Sequence, residues 1–258
     1  MIDLKNIQQL KSSKVLLIGD SCVDYYHYGL CSRISPEAPV PVLDHMYTKE
    51  YPGMAANVLA NLNGLGVSCD FKTNHHQIKK ERYVDQKSRQ QFLRVDAGEG
   101  IDSLGANIND LDLDLYDAIV ISDYGKGYVT YDFAKELTSS FSGLIFVDSK
   151  KSDLSCFNNC LIKINENENC NVHKYPKDYQ IVVTLGERGA KWANHNYETD
   201  TVEVFDVSGA GDSFFAGLVV GYLIDNDMDD AVRFANQCAK IAVQKMGTYA
   251  VTLEDVFE

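Results

Sequence analysis

The hydrophobic positions of the chain fall into short unbroken runs, of which VLLIG at 15–19 is the first. Runs of similar length recur at 118–122, 144–148, 161–165 and 181–186. A run that is apolar at every position, rather than at every second one, is typical of a strand covered on both faces. Each run therefore predicts a buried strand of a parallel sheet.

Segments with helical spacing, such as 55–66 and 130–141, lie between several of these runs. The alternation predicts an α/β fold whose sheet carries helices on both faces. In such sheets ligands bind at the carboxyl ends of the strands. Polar residues stand at or next to the ends of the predicted strands: Asp20, Asp123, Asp148, Asn165 and Thr184. We therefore expect the functional chemistry at this edge of the sheet.

One part of the chain departs from this pattern. The segments 39–47 and 82–96 alternate apolar and polar residues and carry turn signals, which predicts antiparallel strands. We expect a small antiparallel sheet that projects from the main domain as a lid, with segments near 31–50 and 80–97. The whole of 1–258 is then one domain.

Composition and charge narrow the class of function. The 258 residues are 45% hydrophobic and carry a formal net charge of −13, which argues against binding nucleic acid or an anionic membrane through charge. The N-terminal segment lacks the apolar stretch of a signal peptide. The seven cysteines form no regular framework. We expect a cytoplasmic protein with reduced thiols and no membrane span.

The stretch DVSGAGDSFFAG at 206–217 has two glycines and a carboxylate directly before an apolar helical segment. Gly209 and Gly211 allow backbone angles that other residues resist, and the N–H groups at a helix start bind anions. Asp212 in the same turn could accept a proton from a substrate hydroxyl. A plain structural role also fits, because glycines make turns and a helix dipole favours an acid in the first turn.

DVSGAGDSF resembles the C-terminal signature D-[TV]-x-G-A-G-D-x-F of the ribokinase-like carbohydrate kinases. The resemblance implies that Asp212 is the catalytic base and that the backbone of Gly209, Ala210 and Gly211 forms an anion hole. The stretch at 51–66 resembles the N-terminal signature of that family, which implies that Gly53 and Asn57 hold the sugar. Met54 stands where this signature usually has its second glycine.

A narrower resemblance covers roughly residues 12–255. RISPEAPVPV at 33–42 is similar, almost letter for letter, to the opening of bacterial D-glycero-D-manno-heptose 7-phosphate kinases, and SDYGKG at 122–127 and VDSK at 147–150 are also similar to that group. The resemblance implies a three-layer, ribokinase-like α/β sandwich with a β lid. It also implies that Asp24 binds sugar hydroxyls.

Further motifs imply the nucleotide and ion contacts. NENE at 165–168 matches N-x-x-E, which implies that Asn165 and Glu168 lie near the phosphates and the water shell of Mg²⁺. TLGERG at 184–189 matches T-x-G-x-x-G, which implies nucleotide contacts at Thr184, Gly186 and Gly189. Asp206 and the dipeptide at 247–248 resemble the loop that binds a monovalent cation, K⁺, in the family.

The chain departs from the family in two places. After 65–74 it passes almost directly to the lid hairpin, where the family has a further helix and strand, and the helix after Asn165 is shortened. A sugar phosphate needs cations at its unreactive end, because Arg and Lys bind phosphate. The candidates are Arg33, Lys126, Lys150, Lys151 and Arg94, of which Arg33 and Lys126 have the most suggestive contexts.

The resemblance predicts an ATP-dependent, Mg²⁺-assisted kinase that converts D-glycero-D-manno-heptose 7-phosphate to the 1,7-bisphosphate. Two alternatives stay open: a kinase of the same fold for another sugar or sugar phosphate, and a non-catalytic descendant that binds sugar phosphate or nucleotide. Some heptose kinases also carry a nucleotidyltransferase domain, and we expect that activity to come from a separate protein here. The lid suggests a homodimer.

Overall fold

A computed structural model of the protein describes residues 13–99 and 105–257. In chain order its strands are β1 (Val15–Gly19), β2 (Ser21–Ile34), β3 (Pro41–Met54), β4 (Cys69–Thr73), β5 (Ile78–Asp85), β6 (Gln91–Ala97), β7 (Ala118–Asp123), β8 (Leu144–Ser149), β9 (Cys160–Asn165), β10 (Tyr179–Thr184), β11 (Ala190–Trp192) and β12 (His195–Tyr197). The α-helices are α1 (Ala55–Gly64), α2 (Tyr131–Ser140), α3 (Glu166–Asn171), α4 (Ala210–Asp225), α5 (Met228–Val243) and α6 (Leu253–Phe257). The five strands and two helices predicted from hydrophobic spacing are all present.

The main sheet has the strand order β12-β11-β10-β9-β8-β7-β1-β4. The strands from β10 to β4 pair in parallel, and only β11 and β12 pair antiparallel. Connections through helices leave the carboxyl ends of the parallel strands at one edge. The polar residues that follow the predicted strands therefore meet at that edge.

Alternate residues of the buried strands enter two cores. On one face Leu17 and Val120 pack with α1, α4 and α5, and on the other Ile18 and Ile121 pack with α2. Strands covered on both faces explain why these runs are apolar throughout. The second core is closed largely by α2 and by the segment around Phe157, which is fully buried. The three-layer α/β sandwich predicted from the sequence is confirmed.

The lid is a second sheet with the order β3-β2-β5-β6. The β2–β3 and β5–β6 pairings are antiparallel, as predicted, and the β2–β5 pairing is parallel. The lid also begins at Ser21, ahead of the predicted segment near 31–50. Hydropathy did not indicate this part of β2, because its buried face carries Asp24 and two tyrosines, Tyr26 and Tyr28, beside Cys22.

The two shortened regions are confirmed in the structure. Only four residues, 74–77, separate β4 from β5, so no additional helix and strand lie between the main sheet and the lid. Helix α3 has six residues. All seven cysteines are free thiols. Within the residues that the structure describes, no helix is both long and apolar enough to span a bilayer.

Candidate active site

The first turn of α4 forms the centre of the candidate site. Gly209 precedes the helix with a φ of 80°, a left-handed conformation that favours glycine. A Cβ added to Gly209 would lie 2.6 Å from Nδ2 of Asn57, so this position also has no room for a side chain. The N–H groups of Gly211 and Asp212 lie in the first turn, where no carbonyl four residues earlier belongs to the helix. This geometry suits a negatively charged group.

The Asp212 side chain is buried directly beside this turn. Its Oδ2 accepts a hydrogen bond from Asn57 Nδ2 at 2.9 Å, and its Oδ1 accepts one from the Tyr124 hydroxyl. Burial raises the pKa of Asp212 to about 6, although the hydrogen bonds from Tyr124 and Asn57 lower it in part. A carboxylate with this pKa is ionised at neutral pH and basic enough to accept a proton from a hydroxyl.

The loop that carries Tyr124 is held by a buried carboxylate at the end of β1. Asp20 is fully buried and accepts backbone hydrogen bonds from Tyr124 at 2.9 Å, Lys126 at 3.1 Å and Tyr128 at 3.0 Å. Gly125 and Gly127 have positive φ values, which allows the chain to turn so that these N–H groups converge. Asp20 thus fixes the 124–128 loop to the sheet edge.

A buried ion pair lies on the other side of the α4 turn. Lys163 Nζ donates to Asp148 Oδ2 at 2.8 Å, and both side chains are about nine-tenths buried or more. A Cβ on Gly211 would be 3.1 Å from Lys163 Nζ, which places this ammonium group next to the predicted anion hole. Burial lowers the pKa of Lys163, but the charge of Asp148 outweighs it and the pKa is raised overall. Lys163 is therefore a cation.

A cavity of about 670 Å³ opens beside the same turn. Its lining includes the buried cation Lys163 and six residues that the sequence predicted for the site: Asn165, Thr184, Gly186, Gly189, Ala210 and Gly211. Its lining also includes apolar side chains, among them Val204, Ala239 and Val243. An anion-binding turn and apolar side chains in one cavity suit a ligand that combines phosphates with a flat base.

Glu168 and Asn165 form a capping box at the start of α3. Asn165 Oδ1 accepts from the Glu168 N–H and Glu168 Oε2 accepts from the Asn165 N–H, both at 2.8 Å. Glu168 Oε1 accepts from Lys150 Nζ at 2.9 Å. Burial raises the pKa of Glu168, but these contacts outweigh it and the pKa is lowered overall. Glu168 is thus an ionised, fixed carboxylate beside the cavity.

On the lid side, Asp24 is buried and forms an ion pair with Arg82, which is also buried. The adjacent strand brings Gly53 against Asp24, and a Cβ on Gly53 would overlap the Asp24 carboxylate and the Cys22 thiol. Met54, which follows, has a φ of 60° and a buried side chain packed with Cys22 and Ile78. The residue in the usual glycine position thus keeps a glycine-like backbone conformation.

Three sequence-predicted residues lie elsewhere or in structural contacts. Arg33 is nine residues beyond Asp24 along β2, which is roughly 30 Å in an extended strand, and it faces Asp44 at 3.9 Å in an exposed pair. Lys126 pairs with Glu99 at 2.7 Å. Asp206 accepts N–H groups of Ser208 at 2.9 Å and Gly247 at 3.0 Å, so it joins the two loops predicted to bind a cation.

Comparison with known proteins decides the family. The sequence profile of pfkB family carbohydrate kinases matches residues 160–255. The chain is 33% identical, over 94% of its length, to the bifunctional protein HldE of Helicobacter pylori strain HPAG1, of which it covers 65%. It is 30% identical, over 96% of its length, to HldE of Aliarcobacter butzleri, of which it covers 64%. Residues 160–255 of this chain belong to the pfkB family of carbohydrate kinases.

The chain spans just under two thirds of the length of these HldE relatives. A solved structure of phosphofructokinase-2 from Escherichia coli in complex with potassium superposes with a TM-score of 0.73 at 18% identity, covering 94% of this chain and 97% of that one. This likeness shows the ribokinase-like fold. The predicted fold is therefore confirmed, and the predicted phosphotransferase class is confirmed at the level of the pfkB family.

The sequence placed Asp20 and Asp148 at this edge of the sheet without giving them a role, and it missed three residues of the candidate site: Tyr124 and Lys163 beside the base, and Arg82 on the lid. Signals for two of them were present. Lys163 is a charged residue inside the apolar run LIKIN, and Tyr124 lies between a buried strand and two glycines. The Arg82–Asp24 pair joins residues 58 positions apart, so no local spacing could indicate it.

Proposed function

We propose that this chain transfers the γ-phosphoryl group of ATP to the anomeric hydroxyl of D-glycero-D-manno-heptose 7-phosphate and forms the 1,7-bisphosphate. The observation that carries the kinase chemistry is the buried Asp212 carboxylate at the first turn of α4, next to Gly211, which lines the 670 Å³ cavity. The choice of sugar rests on the resemblance of the 33–42 segment to heptose 7-phosphate kinases.

In this mechanism Asp212 accepts the proton of the attacking hydroxyl. The hydroxyl oxygen bonds to the γ-phosphorus while the bond to the leaving oxygen of ADP breaks, and the proton remains on Asp212 until solvent takes it. The backbone of Gly209, Ala210 and Gly211, with Lys163 Nζ beside it, stabilises the charge on the transferring group. Asn57 orients Asp212 through its 2.9 Å hydrogen bond.

The donor set also fits the expected ions. Mg²⁺ commonly keeps several water ligands and needs one or two carboxylates besides the phosphates. Glu168 and Asn165 would hold those waters, and the ion would neutralise charge on the phosphates. The two loops joined by Asp206 would hold K⁺ largely through backbone carbonyls. The potassium named for the E. coli phosphofructokinase-2 structure supports that assignment.

The charges of the lid support the proposal that the substrate is an anionic sugar. The strand register puts four cationic residues, Lys49, Lys80, Arg82 and Arg94, on the lid face that carries Asp24. In a chain of net charge −13 this is a local excess of cations. Arg82 and Arg94 pair with carboxylates of the same face, Asp24 and Asp96.

Lys80 makes no ion pair with a carboxylate among residues 13–99 and 105–257, and its Nζ lies 5.7 Å from the centre of the Tyr124 ring. Because Tyr124 contacts Asp212, Lys80 faces the reaction centre. We propose that Lys80 binds the phosphate that the substrate already carries. Lys79, the next residue along β5, faces the other side of the lid and offers a matched control.

A coupled assay of ADP release tests the function. Heptose 7-phosphate, hexose phosphates, unphosphorylated pentoses and hexoses, and nucleosides would be compared at equal ATP. We expect the highest kcat/KM for heptose 7-phosphate. Lys80→Met should raise KM for phosphorylated sugars by about tenfold or more, as loss of a charged hydrogen bond implies, and Lys79→Met should not. If ATP binds but none of these sugars gives ADP release, the non-catalytic descendant is favoured instead.

Two further assignments complete the proposal. We expect the reaction in the cytoplasm, where ATP is available and where the seven free thiols stay reduced.

We also expect a homodimer formed through the lid. Seven large apolar or aromatic residues of the lid are exposed: Leu30, Ile34, Val40, Met46, Tyr47, Leu93 and Val95. Clustered exposed apolar side chains mark interaction surfaces.

A further inference from the structure

The Tyr124 hydroxyl lies at the centre of the site in a role that the signatures of the chain do not assign. It donates to Asp212 Oδ1, and Asn57 donates to the other carboxylate oxygen at 2.9 Å. Each oxygen of a carboxylate can accept more than one hydrogen bond. A substrate hydroxyl can therefore reach Asp212 while Tyr124 stays bound to it.

We propose that Tyr124 is a positioning residue of the reaction, whose phenol hydroxyl orients the Asp212 carboxylate and keeps it in the ionised, proton-accepting form. This inference rests on the proposed function. A donor to a carboxylate stabilises the charged form and not the neutral one, so it governs the pH at which the base becomes active. Asn57 donates to Oδ2 only, so without the Tyr124 hydroxyl the buried Oδ1 of Asp212 would lose its hydrogen-bond donor.

A backbone hydrogen bond and two cation–π contacts hold the Tyr124 ring in position. Its backbone N–H donates to the buried Asp20 at 2.9 Å. Lys150 Nζ lies 4.9 Å and Lys80 Nζ 5.7 Å from the ring centre, within the range of cation–π contacts. Lys80 belongs to the lid, and Lys150 follows β8 of the main sheet. The ring thus contacts one cation from the lid and one from the main sheet.

Burial and nearby charges set the protonation states of the Tyr124 hydroxyl and the Asp212 carboxyl. Burial raises the pKa of the Tyr124 hydroxyl far above its usual value, and the nearby Asp212 and Asp148 charges raise it further, so the phenol keeps its proton and remains a donor. For Asp212, burial and Asp148 oppose ionisation, and Lys163 favours it. The titratable or charged groups that face this pair from the packed elements are Cys22, Lys80, Asp148, Lys150 and Lys163.

The decisive experiment is the titration of Asp212 without substrate, which does not depend on activity. Protein labelled with ¹³C at the aspartate carboxyl carbons would be titrated by NMR, with the Asp212 signal assigned from its loss in Asp212→Asn. In Tyr124→Phe the midpoint should move upward by about one pH unit or more, because a hydrogen bond to a charge is lost. Tyr128→Phe is the control, since its hydroxyl makes no hydrogen bond to a residue of the described chain.

A second variant separates hydrogen bonding from packing. Replacing Tyr124 by 3-fluorotyrosine keeps the ring and makes the hydroxyl a stronger donor, so the Asp212 midpoint should move downward. A merely structural role would not give opposite shifts for the two changes. Melting temperatures of all variants would verify that they fold. An unchanged midpoint in both Tyr124 variants would overturn the proposal, even if turnover falls.

The same variants would then be tested for turnover. In Tyr124→Phe we expect the acidic limb of the kcat profile to move upward by the shift seen in the titration, with a smaller effect on KM. The substrate phosphates titrate near pH 6, but they do so equally in wild type and variants, so the difference reports Asp212. If no sugar is phosphorylated, the proposed function fails, and the titration still decides the role of Tyr124.

Discussion

A single carboxylate, Asp212, carries the chemistry proposed here. Asp212→Asn removes the proton acceptor and keeps the shape of the side chain. Turnover should fall by roughly 10²–10⁴-fold, the usual contribution of a general base. The measurement is ADP release with the best sugar at saturating ATP. Turnover within a few-fold of wild type would remove Asp212 from this role. Asp225→Asn, at the opposite end of the same helix, shows what loss of a carboxylate outside the site does by itself.

The same substitution predicts a pH-dependent gain in stability. The folded-state pKa of Asp212, about 6, is raised from 3.8 by burial, so the folded protein binds this proton more tightly than the unfolded chain does. The contribution therefore favours folding below about pH 4 and is lost as the pH rises through about 6. A shift of about two pKa units corresponds to about 3 kcal/mol.

Asp212→Asn should accordingly raise the free energy of unfolding at pH 8 by up to about 3 kcal/mol, and this gain should vanish near pH 4. Urea titrations at the two pH values measure it. If the unfolding free energies of Asp212→Asn and wild type differ by the same amount at both pH values, burial does not raise the pKa of Asp212 in the folded protein.

The Lys163–Asp148 pair yields a prediction that separates stability from catalysis. Lys163→Met leaves Asp148 buried without its cation, which should cost about 3–5 kcal/mol of unfolding free energy. Adding Asp148→Leu removes the uncompensated charge and should restore most of that stability. Turnover should stay low in the double variant, because the cation beside Gly211 is absent. Recovery of turnover together with stability would show that Lys163 has a structural role only.

Among the elements, the start of α4 depends most on a glycine. Gly209→Ala must adopt a φ of 80° and also places Cβ 2.6 Å from Asn57 Nδ2. We expect a loss of more than about 1 kcal/mol from the backbone alone and a larger loss from displacement of Asn57, with reduced turnover. Gly125→Ala is a stability control, since its φ is 67° and nothing lies within 4 Å of the added Cβ. Thermal unfolding compares the two variants, and equal losses would contradict the steric argument.

How far the sequence predicts the elements depends on whether their residues act locally. Strands such as β1 and β9 were predicted almost to the residue because they are buried on both faces. Strand β2 was not, because its inward face is polar and is buried only once the lid folds over the sheet. For the same reason the sequence predicted Asp212 and Asn57 from local motifs, and it missed Arg82, whose partner is distant in the chain.

At the scale of the whole molecule, the lid has two faces with different chemistry. Its inner face carries Lys80, which is proposed to bind the substrate phosphate, together with Lys49, Arg82 and Arg94. Its outer face includes Leu93 and Val95 of β6, which pair with Tyr83 and Glu81 and are 49% and 39% exposed. A four-stranded sheet with exposed apolar side chains gains stability when a second sheet covers it.

This arrangement predicts a dimer whose formation depends on the lid. Sedimentation velocity should give twice the chain mass of 28.8 kDa at micromolar protein. The double variant Leu93→Glu/Val95→Glu should sediment as a monomer, because each introduced charge would have to lose its water at the interface. Leu115→Glu is the matched control, since Leu115 is 50% exposed on the main body and lies outside the lid. If all three proteins have the same mass, the apolar face of the lid is not the interface between copies.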